Sequence, residues 1–246
     1  MKQVIYTVLS NDRIARDVYK IVLEGDTSAI TAPGQFVNLK IDGFFLRRPI
    51  SVCDCLDGEL TLIYKVVGGG TKAMSELKKG AKTDTLTGLG NGYDTSKSGD
   101  KPLLVGGGVG VPPLYMLCKK LVGENKKPAV VLGFNSREDV FYEDEFKALG
   151  ADVYVATADG SYGIKGFVTD AMAGLDYSFF YTCGPEPMFR AISRMAKTEG
   201  QYSFEERMGC GFGACMGCSC KTLTGNKRIC REGPVMNSGE IIWDKE

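Results

Sequence analysis

The sequence predicts a mixed fold, α/β plus all-β, with an antiparallel β-barrel, then a parallel α/β sheet, then a small cysteine-rich segment. Three observations predict it. Segments rich in β-branched and aromatic residues fill the first hundred positions, strands alternating with helices follow to about residue 200, and five of the nine cysteines fall within 210–230. We expect the three units to span residues 1–98, 99–200 and 201–246.

The first unit contains short strand-like segments at 18–25, 34–41 and 58–67, separated by turns with glycine or proline. Apolar and polar residues alternate in the second of these, as in a strand with one buried face. One helix interrupts the strands, beginning at Thr71 and ending at Gly80. The pattern predicts an antiparallel barrel or sandwich.

The second unit follows a linker at residues 91–102. Residues 103–123 and 128–149 each place an apolar strand before a helix, and this alternation continues to about residue 200. Strands that alternate with helices predict a parallel sheet with both faces covered.

The composition is that of an ordinary globular protein, with 43% hydrophobic and 24% charged residues. Lysine plus arginine equals aspartate plus glutamate at 30 each, so no net charge favours nucleic acid or a membrane as a partner. The first apolar run, residues 4–9, is too short for a signal-peptide core, and no later run approaches the length of a membrane span. We therefore expect a cytoplasmic chain.

The chain contains no histidine. This absence excludes Ser-His-Asp and Cys-His catalysis, and it excludes every histidine-based metal site. The chemistry of this chain is therefore expected to depend on cofactors.

Four cysteines follow the pattern Cys210-x4-Cys215-x2-Cys218, with Cys230 after eleven further residues. This is the spacing of a plant-type [2Fe–2S] ligand loop, and its many glycines allow backbone N–H groups to turn toward the sulfurs. Cytoplasmic location and an odd number of cysteines disfavour disulfides. The alternative is a structural zinc site, which usually pairs two C-x2-C knuckles where this chain has one. Cys220 remains outside the pattern.

Two further motifs lie in the first unit. The segment Arg48-Pro49-Ile50-Ser51, at the end of a strand, is either a basic edge turn or an arginine fork that matches a pyrophosphate, with a hydroxyl three residues on. Residues 68–71, Gly-Gly-Gly-Thr, run into the helix, where anions bind readily.

The second unit carries a strand, a glycine turn at residues 106–110, and a helix, which is a nucleotide-binding turn in kind. It is not the G-x-G-x-x-G fingerprint, because Val111 stands at the third position. Cys183, Gly184 and Pro185 follow a strand at the carboxyl edge of the sheet, where open α/β folds bind ligands. Cys183 is otherwise a buried thiol at a strand end.

In this order and spacing, R-P-x-S, G-G-x-G-x-x-P and C-G-P-x-x-M resemble the ferredoxin–NAD(P)+ reductase superfamily over about the first 200 residues. The C-terminal cysteine pattern and the segments 157–170 and 141–146 make the resemblance specific to one family within this superfamily. The whole chain is similar to the family of electron-transfer subunits of type B, NAD-dependent dihydroorotate dehydrogenases.

The resemblance implies FAD, NAD and a [2Fe–2S] cluster as cofactors. The implied FAD residues are Arg48, Pro49, Ile50, Ser51, Ile63, Tyr64, Lys65, Gly70 and Thr71. The implied NAD residues are Gly106, Gly107, Gly108, Val109, Gly110, Asp159, Gly160, Ser161, Cys183, Gly184 and Pro185, with Cys183 positioning the nicotinamide. The implied cluster ligands are Cys210, Cys215, Cys218 and Cys230.

The resemblance also implies an FMN-containing catalytic partner, two copies of each subunit, and electron transfer from dihydroorotate to NAD+ in pyrimidine biosynthesis. Two other functions stay open: an NAD(P)H-dependent reductase, alone or in another complex, and a zinc-stapled nucleotide-binding module. The residues do not decide between NAD and NADP, because Arg137, Glu138 and Asp139 stand together where one fingerprint acid is expected.

Overall fold

The computed structural model describes residues 1–243. The first unit is a closed antiparallel barrel of six strands in the order β1-β2-β5-β4-β3-β6, so the predicted barrel is confirmed. Its strands are β1 (Lys2–Ala15), β2 (Val18–Glu24), β3 (Phe36–Leu39), β4 (Arg48–Leu56), β5 (Glu59–Lys65) and β6 (Lys82–Leu89). Alternation along the strands fills the interior with apolar side chains, as a barrel of this size requires.

The short strand β3 departs from a simple inside–outside pattern, because all four of its residues are buried. Val37 and Leu39 belong to the barrel core. Phe36 and Asn38 point to the opposite face, since successive strand residues alternate. That outer face is covered by the C-terminal segment, whose residues pack with Phe36.

The barrel helix α1 (Gly69–Ser75) begins two residues before Thr71 and ends well before Gly80, so both predicted bounds were wrong. The Thr71 hydroxyl accepts the N–H groups of Val67 and Gly68, which explains why the helix starts upstream of it. Arg48 opens strand β4, whereas the sequence had placed its motif at a strand end.

The second unit is the predicted parallel sheet. Its parallel strands are β7 (Pro102–Gly107), β8 (Ala129–Phe134), β9 (Asp152–Thr157), β10 (Ile164–Lys165), β11 (Phe179–Cys183) and β12 (Gly200–Ser203), in the spatial order β10-β9-β8-β7-β11-β12. Its helices are α2 (Pro112–Gly123), α3 (Glu143–Ala148), α4 (Val168–Met172) and α5 (Glu186–Met195).

The C-terminal segment contains a hairpin, β13 (Ser219–Thr222) and β14 (Gly225–Arg228), and a final strand, β15 (Val235–Asn237). Strand β15 pairs antiparallel with β12 and becomes the seventh strand of the second sheet. The segment after residue 200 therefore supplies two strands to that sheet and places its cysteines between them.

Barrel and sheet pack through one shared apolar core, in which Val18 and Ile63 of the barrel join Leu104 and Val111 of the second unit. Two ion pairs border it. Arg16 contacts Asp139 at 2.7 Å, and Lys119 contacts Asp54 at 2.9 Å. No helix within residues 1–243 has both the length and the apolar character needed to span a lipid bilayer.

Candidate functional site

The order of the second sheet places a ligand crevice at the carboxyl ends of β7 and β11. From β7 the chain moves outward through β8, β9 and β10, then returns to the other side of β7 as β11. Between β7 and β11 the direction of progression reverses, and open α/β sheets bind ligands at such switch points. The turns after these strands are the glycine turn, residues 106–110, and Cys183–Pro185.

Glycines let these two turns approach each other closely. A side chain at Gly110 would overlap the backbone of Cys183 and Gly184. A side chain at Gly107 would crowd Pro185 and the sulfur of Met188. The crevice floor is therefore bare backbone, which permits a nucleotide to approach it closely.

A cavity of about 590 Å³ opens above this floor, at the junction of barrel and sheet. The predicted nucleotide residues Gly107, Gly108, Val109, Gly110, Gly184 and Pro185 line it. Val18 and Lys65 contribute from the barrel, and Phe134, Phe167 and Met188 add apolar surface. Its size and apolar lining suit a nucleotide cofactor.

Gly106 and Cys183 lie behind this lining. Cys183 is 1% exposed, and burial together with the nearby Glu205 carboxylate raises the pKa of its thiol. The residue therefore stays a neutral thiol, which does not suit a nucleophile. Its role in positioning the nicotinamide stays a prediction.

Asp159, Gly160 and Ser161 form an exposed loop next to Ala158, which itself lines the cavity. The Asp159 carboxylate accepts the Ser161 N–H at 2.9 Å, and the Ser161 hydroxyl accepts the Arg137 N–H at 2.8 Å. Arg137 and the loop 159–161 are thus hydrogen-bonded to each other near the cavity edge. The three loop residues do not line the cavity.

The two acids that left the NAD-or-NADP question open both contact Arg16 of the barrel, and Asp139 also lines the cavity. Asp139 receives two hydrogen bonds from the Arg16 guanidinium, at 3.0 and 2.7 Å, and Glu138 lies 3.5 Å from the same group. Arg137 stacks on Tyr162 at 5.5 Å. Both acids therefore take part in the contact between the units.

Arg48 of the predicted flavin motif and its neighbour Arg47 have different roles. Arg47 pairs with Asp84 at 3.0 Å and is a structural residue of the barrel. The Arg48 guanidinium lies 4.9 Å above the Phe44 ring and donates to the carbonyls of Leu46 and Arg47. A side chain at Gly70 would overlap that guanidinium, so Gly70 makes room for it. This arrangement fits a pyrophosphate-binding arginine.

The remaining flavin-motif residues divide between surface and core. Arg48 and Pro49 line a groove with residues 206–208, which directly precede the cysteine loop. Ile63 and Tyr64 are buried, and the Tyr64 hydroxyl donates to Asn11 inside the barrel at 2.9 Å. A bound flavin would therefore meet their backbone.

The four cysteines of the predicted ligand set form two pairs. The backbone N–H of Cys215 donates to the Cys210 sulfur at 3.4 Å, and the N–H of Cys230 donates to the Cys218 sulfur at 3.4 Å. The Ala214 N–H also donates to Cys210, at 3.2 Å. Two cysteines for each of two irons, with N–H groups aimed at sulfur, is what a [2Fe–2S] cluster requires.

The cysteines of this set differ in ionisation. Burial opposes ionisation of Cys210, but the backbone N–H groups of Phe212, Cys215 and Ala214, together with the Cys215 thiol, outweigh it and lower the pKa to about 6. Burial and the neighbouring Cys218 raise the pKa of Cys230 to about 12. Thiolates are the metal-binding form of cysteine. Within residues 1–243, no three Cys, Asp or Glu side chains converge on one point tightly enough for a single metal ion.

Two polar residues near these sites were missed by sequence reasoning. Glu205 lines the cavity, where partial enclosure by protein raises the pKa of its carboxyl. Asn38, only 1% exposed, donates from Nδ2 to the carbonyl of Cys210 at 3.3 Å. Glu205 follows β12 at the carboxyl edge of the sheet, a position that could have flagged it. Asn38 resembles an ordinary solvent-facing strand residue in sequence.

Comparison with known proteins identifies related domains and related chains. Residues 205–242 match the family model "Iron-sulfur cluster binding domain of dihydroorotate dehydrogenase B", and residues 104–194 match "Oxidoreductase NAD-binding domain". A solved NADH-dependent reduced ferredoxin–NADP oxidoreductase aligns with 97% of this chain and 90% of its own, with a TM-score of 0.87 and 29% identity. A ferredoxin reductase of carbazole 1,9a-dioxygenase shares the fold, with a TM-score of 0.70 at 22% identity over 79% of this chain and 64% of its own.

Curated relatives extend over nearly the whole chain. The Shouchella clausii protein named "Dihydroorotate dehydrogenase B (NAD(+)), electron transfer subunit" is 44% identical and covers 98% of both chains. The protein of the same name from Fusobacterium nucleatum is 45% identical over 96% of both. These matches confirm the resemblance carried by the motifs. The chain therefore belongs to the family of dihydroorotate dehydrogenase B (NAD(+)) electron transfer subunits.

Proposed function

We propose that this chain carries electrons from dihydroorotate, oxidised on a partner catalytic subunit, to NAD+ in pyrimidine biosynthesis. One observation carries the proposal. Two of the implied FAD residues adjoin the two other sites: Lys65 lines the nucleotide cavity, and Pro49 pairs with Asn38, which donates to the Cys210 carbonyl. A [2Fe–2S] cluster exchanges single electrons, a nicotinamide exchanges a hydride, and a flavin does both, so the flavin belongs between them.

The residues of this chain bind and orient the cofactors. Cys210, Cys215, Cys218 and Cys230 would ligate the cluster, in the two pairs described above. Arg48, in the space left by Gly70, would hold the FAD pyrophosphate. The bare turns at 107–110 and 183–185 would admit the nicotinamide nucleotide, with Cys183 behind it. No proton transfer by a side chain is required, in keeping with a chain that lacks histidine.

The resemblance supports a finer proposal for the assembly. The partner would carry FMN and the dihydroorotate site, and the complex would hold two copies of each subunit in the cytoplasm. Sedimentation of the purified complex should give the mass of a heterotetramer. A mass that corresponds to one copy of each subunit would contradict this stoichiometry but not the proposed function.

The division of labour can be tested with the isolated chain. It should hold FAD, iron and acid-labile sulfide, and it should reduce artificial dyes with NADH. It should form no orotate until the catalytic subunit is added. Turnover of dihydroorotate by this chain alone would contradict the proposal.

A second candidate is a reductase in another complex, favoured by the 29% identity to the NADH-dependent ferredoxin–NADP oxidoreductase. The identity of a stable partner recovered from the native host separates the two. An FMN protein that oxidises dihydroorotate supports the first candidate, and a ferredoxin-coupled partner supports the second.

A further inference from the structure

Asn38 occupies an unusual place for an amide side chain. It lies on the outer face of β3, yet it is only 1% exposed because the C-terminal segment covers it. Its neighbour on that face, Phe36, belongs to one buried apolar cluster with Cys218 and Cys230. The cysteine segment therefore packs on the outer face of β3.

The contact between Asn38 and the ligand loop is direct. Nδ2 donates to the Cys210 carbonyl at 3.3 Å, and a side chain at Gly211 would overlap the same nitrogen. The amide therefore lies close against the Cys210–Gly211 backbone. Its orientation is fixed by chemistry, because a carbonyl accepts only from the NH₂ end of an amide.

The other end of the amide is unsatisfied. Asn38 Oδ1 is buried and has no hydrogen-bond partner within the described residues. A buried acceptor without a partner is destabilising, and β-strands disfavour asparagine in any case. An apolar residue would suit this position better by both criteria. The contribution specific to asparagine is its bond to the first cysteine of the ligand set.

The same face carries the proposed flavin motif. Asn38 pairs directly with Pro49, and Phe36 pairs directly with Ser51. Directly opposed residues of an antiparallel pair face the same side, with Cβ atoms about 4.5–5.5 Å apart. The flavin motif and the residue that holds Cys210 are thus separated by a single interstrand spacing.

We propose that Asn38 is a positioning residue that fixes Cys210, and with it the cluster, beside the flavin site. The inference rests on the proposed placement of FAD and the cluster. Strand β3 pairs with β4, which carries the flavin motif. Through Asn38, β3 also sets the position of the loop that carries Cys210. Loss of the amide donor should let the loop shift without removing any cluster ligand.

The test uses the complex of this chain with its catalytic subunit. Asn38→Leu keeps the number and branching of the side-chain heavy atoms but removes the donor. NADH is mixed with the oxidised complex, and two rates are followed: reduction of FAD by the hydride, and then reduction of the cluster by one electron. The EPR spectrum of the dithionite-reduced cluster is recorded separately. Thr87→Val, another wholly buried polar residue of the barrel, is the matched control.

We expect the Leu variant to keep its iron and FAD and to reduce FAD at the normal rate. Its cluster should show an altered EPR line shape and be reduced about tenfold more slowly, at the lower end of the 10–100-fold cost of removing a partner of a metal ligand. Thr87→Val should change neither. Unchanged EPR and cluster reduction in a fully loaded Leu variant would overturn the proposal.

If the Leu variant loses its cluster, Asn38→Ala removes the donor without adding bulk. An Ala variant with an altered EPR spectrum and slowed cluster reduction, or without a cluster, supports the proposal, and an Ala variant in which both are unchanged overturns it. Wild-type complex devoid of iron or FAD would instead refute the proposed function, before any variant is compared.

Discussion

The nucleotide cavity and the cysteine loop differ in what holds their backbone. The cavity floor lies at the ends of β7 and β11, each paired on both sides with parallel strands. The cysteine loop contains residues with positive φ at Gly211, Gly213 and Met216, and its Cys215 is exposed. Asn38 and Arg228, which donates to the Gly213 carbonyl at 2.6 Å, secure it to the rest of the chain.

The difference indicates where ligand binding contributes to structure. Packed strands shape the cavity whether or not a nucleotide is bound, whereas four thiols brought together by a short loop gain most of their order from the metal. The nucleotide cavity is thus expected to keep its structure without a nucleotide, whereas the cysteine loop is expected to depend on its metal for order.

The largest expected effect comes from removing a cluster ligand. Cys218→Ser should abolish cluster assembly and dihydroorotate-dependent NADH formation, because serine does not replace a thiolate on iron. Dye reduction by NADH should persist, since the cavity and barrel do not depend on the loop. Iron analysis and both assays measure this. Cys220→Ser is the matched control and should retain iron; loss of dye reduction in the Cys218 variant would contradict the independence of the two regions.

A change in the cavity floor should have the converse effect. Gly110→Ala places a methyl group against the Cys183 backbone, so the cavity floor has to shift. A distortion of about 1–3 kcal/mol that is felt by the bound nucleotide corresponds to roughly five- to hundredfold weaker NADH affinity. The cluster EPR spectrum should stay unchanged. Gly123→Ala, on the helix that follows the same turn, has open space around the new methyl group and should bind NADH normally. Equal affinity in both variants would show that the floor tolerates a side chain.

Removal of iron should distinguish the two regions within one molecule. After anaerobic chelation, amide hydrogen exchange should accelerate in residues 205–233 and remain slow in β7, β8 and β11. Mass spectrometry of peptides measures both regions in the same sample. A uniform increase, or none, would mean that the loop does not depend on its metal more than the sheet does.

The smallest expected effect concerns the ion pair beside the cavity. Burial acts against ionisation of Asp139, but hydrogen bonds from Arg16 and Ser136 lower the pKa of its carboxyl below the ordinary value. A lowered folded pKa contributes stability above the unfolded value of about 3.9 and loses it as the pH falls through the folded pKa. Asp139→Asn should cost about 1 kcal/mol at neutral pH, since Arg16 is half exposed.

Urea unfolding at several pH values tests this sign. The difference between wild type and Asp139→Asn should be present at pH 7 and shrink below about pH 4. Asp144→Asn, with a side chain 96% exposed, should give a smaller difference at neutral pH. A difference that grows on acidification would contradict the assignment.

Much of the fold followed from sequence because the two units have different periodicity. Alternation in β3 and the repeated strand–helix pattern are local signals, and the spacing of the four cysteines directly reflects how one loop surrounds a cluster. The boundaries at 98 and 200 stay predictions, and residues 244–246 of the third unit lie outside the described residues.

Features that depend on distant contacts were not predictable. Strand β15 is three residues long and carries no pattern of its own, and only β12 defines it. The ion pair of Asp139 with Arg16 was not predictable, because Arg16 is 123 positions away in sequence. Asn38 looked solvent-exposed because nothing local indicates that a later segment covers it.

The pairing of β15 with β12 has a mechanical consequence. Residues 204–234 leave the sheet edge after Ser203 and return at Val235, which pairs with Ser203 itself, and the Phe204 N–H donates to the Pro234 carbonyl at 2.9 Å. The metal-binding segment 204–234 therefore leaves and rejoins the sheet at residues that are hydrogen-bonded to each other. Such a segment cannot swing out like a tethered shuttle domain, so a redox partner has to come to it.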